Sequence, residues 1–364
     1  MTYGNYPSLA PIKRALVIKL RHHGDVLLTS PLFSALKNVL DTDAKIDAYI
    51  YQETLPMLDG HPAIARFHTY DRKWKKLPLF QRLAQELRLL KTIRSCKYDL
   101  VINLTEGDRG AVIAKVSGAQ IRVGIDPGDQ GMLGKKKCFT HIVKNCSTPR
   151  HTVERNLDAL RRIGIFPSVE ERDLFLHVPK EEKESILRAV QGSTDYIVIH
   201  PVSRWRFKCP PAIFTADLIA ALHERGEKVV LSASPDPEEL AMCHEICERV
   251  PHVPVINLGG KMTLKGLAAL IQEAKALICV DSVPLHMASA LKTPVVALFG
   301  PTSELNWGPW MHRQAKVVAA KLPCRPCFLD GCGGSKKSDC LYVLRVSDVL
   351  EALYGLVPEL AADR

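Results

Sequence analysis

The chain lacks any run of apolar residues near the roughly 18 that a membrane span needs. Its first residues, Met1 to Pro11, lack the long apolar core of a signal peptide, which argues against export. There is no G-x-G-x-x-G fingerprint and no Walker A motif, so a nicotinamide-dependent oxidoreductase has no motif to rest on. No RNA- or DNA-binding motif, no short repeat and no low-complexity tract is visible. What is present is ordinary for a globular protein: 364 residues, 46% hydrophobic and 24% charged. That length suggests about two domains. Lysine and arginine exceed aspartate and glutamate by 49 − 39, or +10. A basic balance favours anionic partners: nucleic acid, an acidic membrane surface or phosphorylated small molecules. It is equally compatible with a solvated lysine-rich face. Eleven cysteines are an odd count in a long chain without an export signal, so reduced thiols in a cytosolic compartment are expected.

Short β-branched runs alternate with helical patterns. In the first half the strand candidates are Ala15–Leu20, Ile46–Ile50, Asp99–Asn103 and Ile121–Gly124. In the second half they are Tyr196–His200, Lys228–Ser232, Ala276–Val280, Pro294–Phe299 and Lys316–Ala319. Apolar stripes at helical spacing lie between them, such as Leu28, Leu32, Leu36 and Leu40, or Leu264, Leu267, Leu270 and Ile271. Another, from Ile213 to Leu222, is opened by Pro210-Pro211 and closed by Gly226. This alternation predicts α/β architecture, with parallel sheets covered by helices on both faces. The strands are continuous apolar runs, as burial on both faces requires. The composition shifts around Pro167–Lys180, which places a domain boundary there. Val346–Leu356 reads as a final helix with Ser347 as its N-cap.

In doubly wound sheets, ligands bind at the C-terminal ends of strands. The loops after the strands are therefore where chemistry is sought. The first strand runs into Arg21-His22-His23-Gly24-Asp25. Asp25 either caps the following helix or stands exposed as a general base. His22 and His23 are either acceptor contacts or plain loop residues. Pro31 marks a kink or a helix start. Strand Tyr196–His200 runs into Ser203, Arg204, Arg206 and Lys208 ahead of a helix. Three cations there make an anion site, with a diphosphate as the natural ligand, or else a basic surface loop. The third segment joins Asp281, Ser282 and His286 to Gly300 after the next strand. Ser282 and the amides behind it suit a phosphate oxygen. His286 lies one helical turn on and shares that face. Gly300 leaves room for a ligand to approach the strand end.

These motifs resemble glycosyltransferase family 9, the ADP-heptose:lipopolysaccharide heptosyltransferases. Gly24, Asp25 and Pro31 match a G-D-x-x-x-x-x-P motif, and Lys208 falls in a lysine-proline segment. Asp281, Ser282, His286 and Ala288 match D-[ST]-G-x-x-H-x-A, and Pro294, Leu298, Phe299 and Gly300 match the strand that follows it. The stretch Val17–Thr29 is most similar to the heptosyltransferase III branch, which adds a side-branch heptose to the inner core. The resemblance covers roughly residues 13–355.

The resemblance implies a GT-B fold, two Rossmann-like doubly wound domains facing across a cleft. Residues 1–175 would form the acceptor-binding domain, 176–345 the donor-binding domain and 346–364 a C-terminal helix and tail. It implies metal-independent, inverting transfer from ADP-heptose to the inner core of lipopolysaccharide, with no cofactor required. Asp25 then corresponds to the general base and Lys208 to a contact of the leaving phosphate. Ser203, Lys208, Glu238, Asp281, Ser282, Val283, His286 and Gly300 would bind the donor. His22, His23, Arg109 and Lys136 would meet the acceptor. Val283-Pro284 departs from the family glycine, narrows the room beside the phosphates and removes an amide donor. The acceptor would be a phosphorylated glycolipid of the inner leaflet. That places the protein in the cytoplasm, peripheral on the inner membrane of a Gram-negative bacterium. Arg66–Lys76, with five cations among Phe67, Tyr70 and Trp74, suits reversible contact with anionic headgroups, or is a solvated basic face. Cys324, Cys327, Cys332 and Cys340 form C-x2-C-x4-C-x7-C. Four thiolates suit a structural zinc ion, but they also suit free thiols or a disulfide. The alternatives carried forward are a heptosyltransferase acting at core position I or II, and a basic nucleic-acid-binding protein.

Overall fold

The computed structural model of the chain describes residues 6–357. Of the expected C-terminal tail, residues 358–364 lie outside the described residues. The chain divides into two compact units, Met1–His177 and Val178–Arg364.

The first unit is built on six strands: β1 (Arg14–Lys19), β2 (Lys45–Tyr51), β3 (Arg66–Tyr70), β4 (Leu100–Asn103), β5 (Ile121–Ile125) and β6 (His141–Val143). All neighbours pair in parallel, in the order β3-β2-β1-β4-β5-β6. Parallel pairing forces a crossover after each strand, and the helices supply it. Leu16, Val17 and Ile18 on β1 are almost wholly buried, as are Val101 and Ile102 on β4. Each such side chain contributes about 1.5–3 kcal/mol through burial. The sheet centre is thus held from both faces.

The second unit repeats the plan with β7 (Ile197–His200), β8 (Val229–Leu231), β9 (Ile256–Asn257), β10 (Ala276–Val280), β11 (Val295–Phe299) and β12 (Ala315–Ala319). Their order is β12-β11-β10-β7-β8-β9, again all parallel. Counted from the first strand of each unit, the two orders are the same doubly wound order, 3-2-1-4-5-6.

Three edge strands, β3, β6 and β9, have no counterpart among the sequence candidates. Arg66–Tyr70 is the first half of the stretch read as a basic surface segment. Pro31 starts a helix: it stands in the first turn of Ser30–Val39. The last helix spans Val346–Tyr354 and its N-cap is Arg345, not Ser347, with no capping side chain. Its Val349, Leu350 and Leu353 belong to the same core as Ile219 and Leu222. Among the described residues no helix is long and apolar enough to cross a membrane.

Candidate functional site

A doubly wound sheet opens a crevice where the strand order reverses. In the first unit that point lies between β1 and β4. In the second it lies between β7 and β10. Asp25 follows β1 and Arg109 follows β4, while Ser203 and Lys208 follow β7 and Asp281, Ser282 and His286 follow β10; Lys136, Glu238 and Gly300 follow β5, β8 and β11 instead.

In the first unit, β1 leads into a short helix, His23–Leu27. Its N-cap is His22, without a capping side chain. Asp25 sits in the first turn, so its carboxylate is not spent on capping. Its side chain is 14% exposed, and Arg21 Nε lies 3.9 Å from Oδ1. Arg21 also reaches Glu106 Oε2 at 3.6 Å. His23 Nε2 lies 3.0 Å from the Glu53 carbonyl. The loop after β4 is tied to β1, because Leu20 N donates to Thr105 Oγ1 at 2.8 Å.

Beneath Asp25 lies Lys19, a buried cation that the sequence reading did not single out. Its ammonium donates to the Leu104 carbonyl at 3.2 Å and to Asn156 Oδ1 at 3.4 Å. The Asn156 amide in turn donates to the Leu28 carbonyl at 3.0 Å. The end of the Asp25 helix is thus tied to the helix Thr152–Arg161. Burial pulls the Lys19 ammonium below its ordinary pKa, and the Asp25 charge opposes that pull. A charged residue inside the apolar run Ala15–Leu20 was the available signal.

Two residues expected on the acceptor side are already engaged. Arg109 forms a two-pronged pair with Glu86 at 2.6 and 2.7 Å, and its guanidinium lies over the Tyr70 ring at 3.9 Å. Lys136 is exposed and reaches Asp126 at 3.1 Å. A cavity of about 390 Å³ opens beyond β4, β5 and β6, lined by Thr105, Glu106, Lys144, Arg150 and Arg155, among others. Arg150 is held by Asp158, whereas Arg155 is exposed at its rim.

In the second unit, Lys208 ends a single turn, Arg206–Lys208, after β7. The long helix begins only at Ala212. Lys208 Nζ lies 2.6 Å from Asp281 Oδ2, with side chains 17% and 5% exposed. Thr302 Oγ1, after β11, donates to the same oxygen at 2.7 Å. One buried carboxylate therefore fixes a lysine and a threonine from the loops beyond β7 and β11. Thr302 is not among the residues that the sequence motifs select.

Ser282 is the N-cap of Val283–Leu291, and its hydroxyl donates to the Val280 carbonyl at 3.2 Å. Pro284 takes the second helical position and has no amide, so the first turn offers fewer donors than a usual helix start. His286 is buried, with its ring 6.5 Å from that of Trp307. Ser203 Oγ accepts from Trp205 N at 3.3 Å. Arg204 is exposed beside Trp205, and Arg206 reaches Met242 Sδ at 2.8 Å. The three cations of this loop therefore point to three different neighbours.

Glu238 is exposed in the first turn of Pro237–Arg249, and its amide donates to the capping Asp236 at 3.0 Å. Its neighbour Glu239 is buried and accepts from Ser234 N at 2.9 Å. At Gly300 the missing side chain makes room for Leu341. An added Cβ would stand 2.8 Å from Leu341 Cδ1. Packing, not an open approach for a ligand, fills that space.

Among the described residues, no three of the four loop cysteines bring their sulfurs within 4.8 Å of one another. Sulfur ligands of tetrahedral zinc lie roughly 3.8 Å apart, given bonds near 2.3 Å. Among the described residues, the three ligand-type side chains with donor atoms all within 4.8 Å are Asp47, His68 and Cys96. Cys324 and Cys332 are exposed, whereas Cys340 is buried and its thiol is pushed up to about 11. All eleven cysteines are unpaired. The Asp47 group is a closed network: Oδ2 accepts from Tyr98 at 2.6 Å and from Arg14 at 2.8 and 3.1 Å.

Comparison with known proteins adds a family match, a relative and two solved structures. Residues 86–337 match the family glycosyltransferase family 9 (heptosyltransferase). The chain is 35% identical, over 357 residues, to lipopolysaccharide heptosyltransferase 3 of Escherichia coli strain K12, covering 95% of this chain and 99% of that one. Among solved structures it is similar to the glycosyl transferase family 9 protein of Veillonella parvula, with TM-score 0.82 and 24% identity over 98% of this chain and 100% of that one. It is also similar to E. coli ADP-heptose lps heptosyltransferase II, with TM-score 0.76 and 22% identity over 96% and 100%.

Proposed function

The chain belongs to glycosyltransferase family 9 and has the GT-B fold, and from that premise we propose that it transfers heptose from ADP-heptose to the inner core of lipopolysaccharide, at the side-branch position of the type III enzymes. The observation that carries this reading is the fixed Lys208–Asp281 pair at the strand ends of the second unit. It belongs to a chain that is similar over 95% of its length to lipopolysaccharide heptosyltransferase 3.

The chemistry follows from residue types. A sugar hydroxyl of the acceptor attacks the anomeric carbon of the donor. Its oxygen forms the new bond while the bond to the β-phosphate oxygen breaks, with inversion at that carbon. Asp25 takes the hydroxyl proton as it becomes acidic. ADP leaves with an added negative charge. A lysine has three N–H donors, and Asp281 uses one of them. The others serve the leaving phosphate, together with Ser282 and the Val283 amide. This accounts for the transfer with no metal step. Ser203, His286 and Glu238 complete the donor contacts, and His22, His23 and Lys136 meet the acceptor. Arg109, already paired with Glu86, holds that region in place.

The first unit is then the acceptor domain and the second the donor domain. The acceptor is a phosphorylated glycolipid, reached from the cytoplasmic face of a Gram-negative inner membrane by reversible attachment. The test supplies ADP-heptose and acceptors of defined core length. Gain of one side-branch heptose, matched by ADP release, is the expected result. Transfer only to shorter cores assigns another position, and ADP release without transfer overturns the reading.

A further inference from the structure

Residues 72–85 carry five cations, Arg72, Lys73, Lys75, Lys76 and Arg82, and no acid. The segment opens with the turn Arg72–Lys76 and continues into the helix Leu79–Ser95. The turn is fixed: Asp71 caps it through Lys73 N at 2.8 Å, and the Trp74 ring lies 5.0 Å from that of Tyr70. The second half of the helix is also fixed, since Leu89 and Ile93 are buried in the core of the unit.

The first half is different. Leu79, Phe80, Leu83 and Leu87 are 70%, 83%, 50% and 64% exposed. At about 100° per residue these four lie within an arc of roughly 100°. The only acid of the helix, Glu86, is turned to Arg109. The exposed surface is therefore an apolar stripe beside a basic turn in which Arg72 is answered by Glu53 at 3.1 Å, while Lys73, Lys75 and Lys76 carry the excess positive charge. Scattered surface leucines need no explanation, but a contiguous stripe of this kind marks an interaction surface. A second copy of the same face would set Lys73, Lys75, Lys76 and Arg82 against the same four cations. An anionic lipid surface accepts both features, with apolar side chains entering the acyl boundary and lysines on the phosphates.

We propose that Leu79, Phe80, Leu83 and Leu87, flanked by Lys73, Lys75 and Lys76, form the surface through which the first unit docks on an anionic bilayer. This names the surface for the membrane attachment in the functional reading above, and rests on it. The apolar stripe supplies insertion and the basic turn supplies selectivity for negative headgroups. Neither alone gives stable anchoring, so attachment is reversible and weakened by salt.

The test is co-sedimentation of the full chain with vesicles of phosphatidylcholine alone or mixed with phosphatidylglycerol. Binding at least about tenfold tighter to the anionic vesicles is expected. Leu83→Glu/Leu87→Glu loses roughly tenfold or more of it, and Lys75→Glu/Lys76→Glu does the same. The first pair is exposed, so its thermal unfolding stays at the wild-type value. Its transfer to a water-soluble, deacylated acceptor also stays unchanged, while transfer to a vesicle-borne acceptor falls. Equal binding to both vesicle types, no binding by wild type, or wild-type binding by Leu83→Glu/Leu87→Glu overturns the proposal. A concentration-dependent dimer that the same variant abolishes gives the face to a second copy, and also overturns it. Vesicle binding without heptose transfer to any acceptor sinks the functional reading and leaves the surface standing.

Discussion

Asp281 is a buried carboxylate, and the partly buried Lys208 is its counter-charge. Replacing Lys208 with Met leaves a carboxylate answered by Thr302 alone. That loss costs about 3–5 kcal/mol of stability, as for other broken buried pairs. The double variant Lys208→Met/Asp281→Leu restores most of the stability, because no charge is left stranded, but it does not restore transfer. Denaturant unfolding and a transfer assay on the same preparations separate the two effects. Recovery of activity in the double variant would show that the pair is structural only. The strand-end positions of Asp25, Lys208 and Asp281 were legible because motif and strand end coincide. Lys19, Asn156 and Thr302 were not, since their importance lies in partners tens of residues away. Gly300 was legible as a special position but for the wrong reason. Its neighbour Leu341 lies 41 residues on in the chain and meets it only through the fold.

The strand β11 ends against the helix Asp339–Tyr342, and Gly300 is where they touch. Gly300→Ala is expected to cost about 1–3 kcal/mol through overpacking, and Leu341→Val in the same chain relieves part of it. Thermal unfolding of the single and double variants checks this, with the donor KM unchanged. An intact melting temperature with a raised donor KM would instead return Gly300 to the ligand. The same contrast explains which elements the sequence revealed. The central strands β1, β4, β7 and β10 are buried on both faces and read as unbroken apolar runs. The edge strand β3, Arg-Phe-His-Thr-Tyr, is buried only at alternate positions. It pairs with β2 through its backbone, which leaves little mark on side-chain composition. β9 has two residues and no pattern at all. The Ser347 cap failed because the cap falls two residues earlier, at Arg345, and the helix is held by its apolar face, not by its cap.

At the scale of the whole molecule, each unit carries a buried histidine that resists protonation. Burial pulls His61 in the first unit and His200 in the second down to about 4. His61 Nε2 lies 3.2 Å from the Ser30 carbonyl, and Nδ1 accepts from Ala63 N, which fixes a neutral ring. Between pH 6.5 and 4 the unfolded chain takes up protons that the folded units refuse. Stability therefore falls as pH falls through that window, by roughly 3 kcal/mol per histidine once below pH 4. His200→Gln is expected to flatten the slope, read by denaturant unfolding at pH 7 and pH 4.5. An unchanged slope would place the acid sensitivity elsewhere. The two-unit, doubly wound plan was visible in the alternation of strands and helices. The identity of the two strand orders was not, because pairing between strands 80 residues apart leaves no local trace. The proposed transfer rests on proton removal by Asp25 as ADP departs. Rapid-quench single-turnover transfer, with wild type and Asp25→Asn both saturated with ADP-heptose, tests that most directly. The variant should bind the donor as tightly as wild type and transfer about 10²–10⁴-fold more slowly. Transfer at the wild-type rate would contradict it.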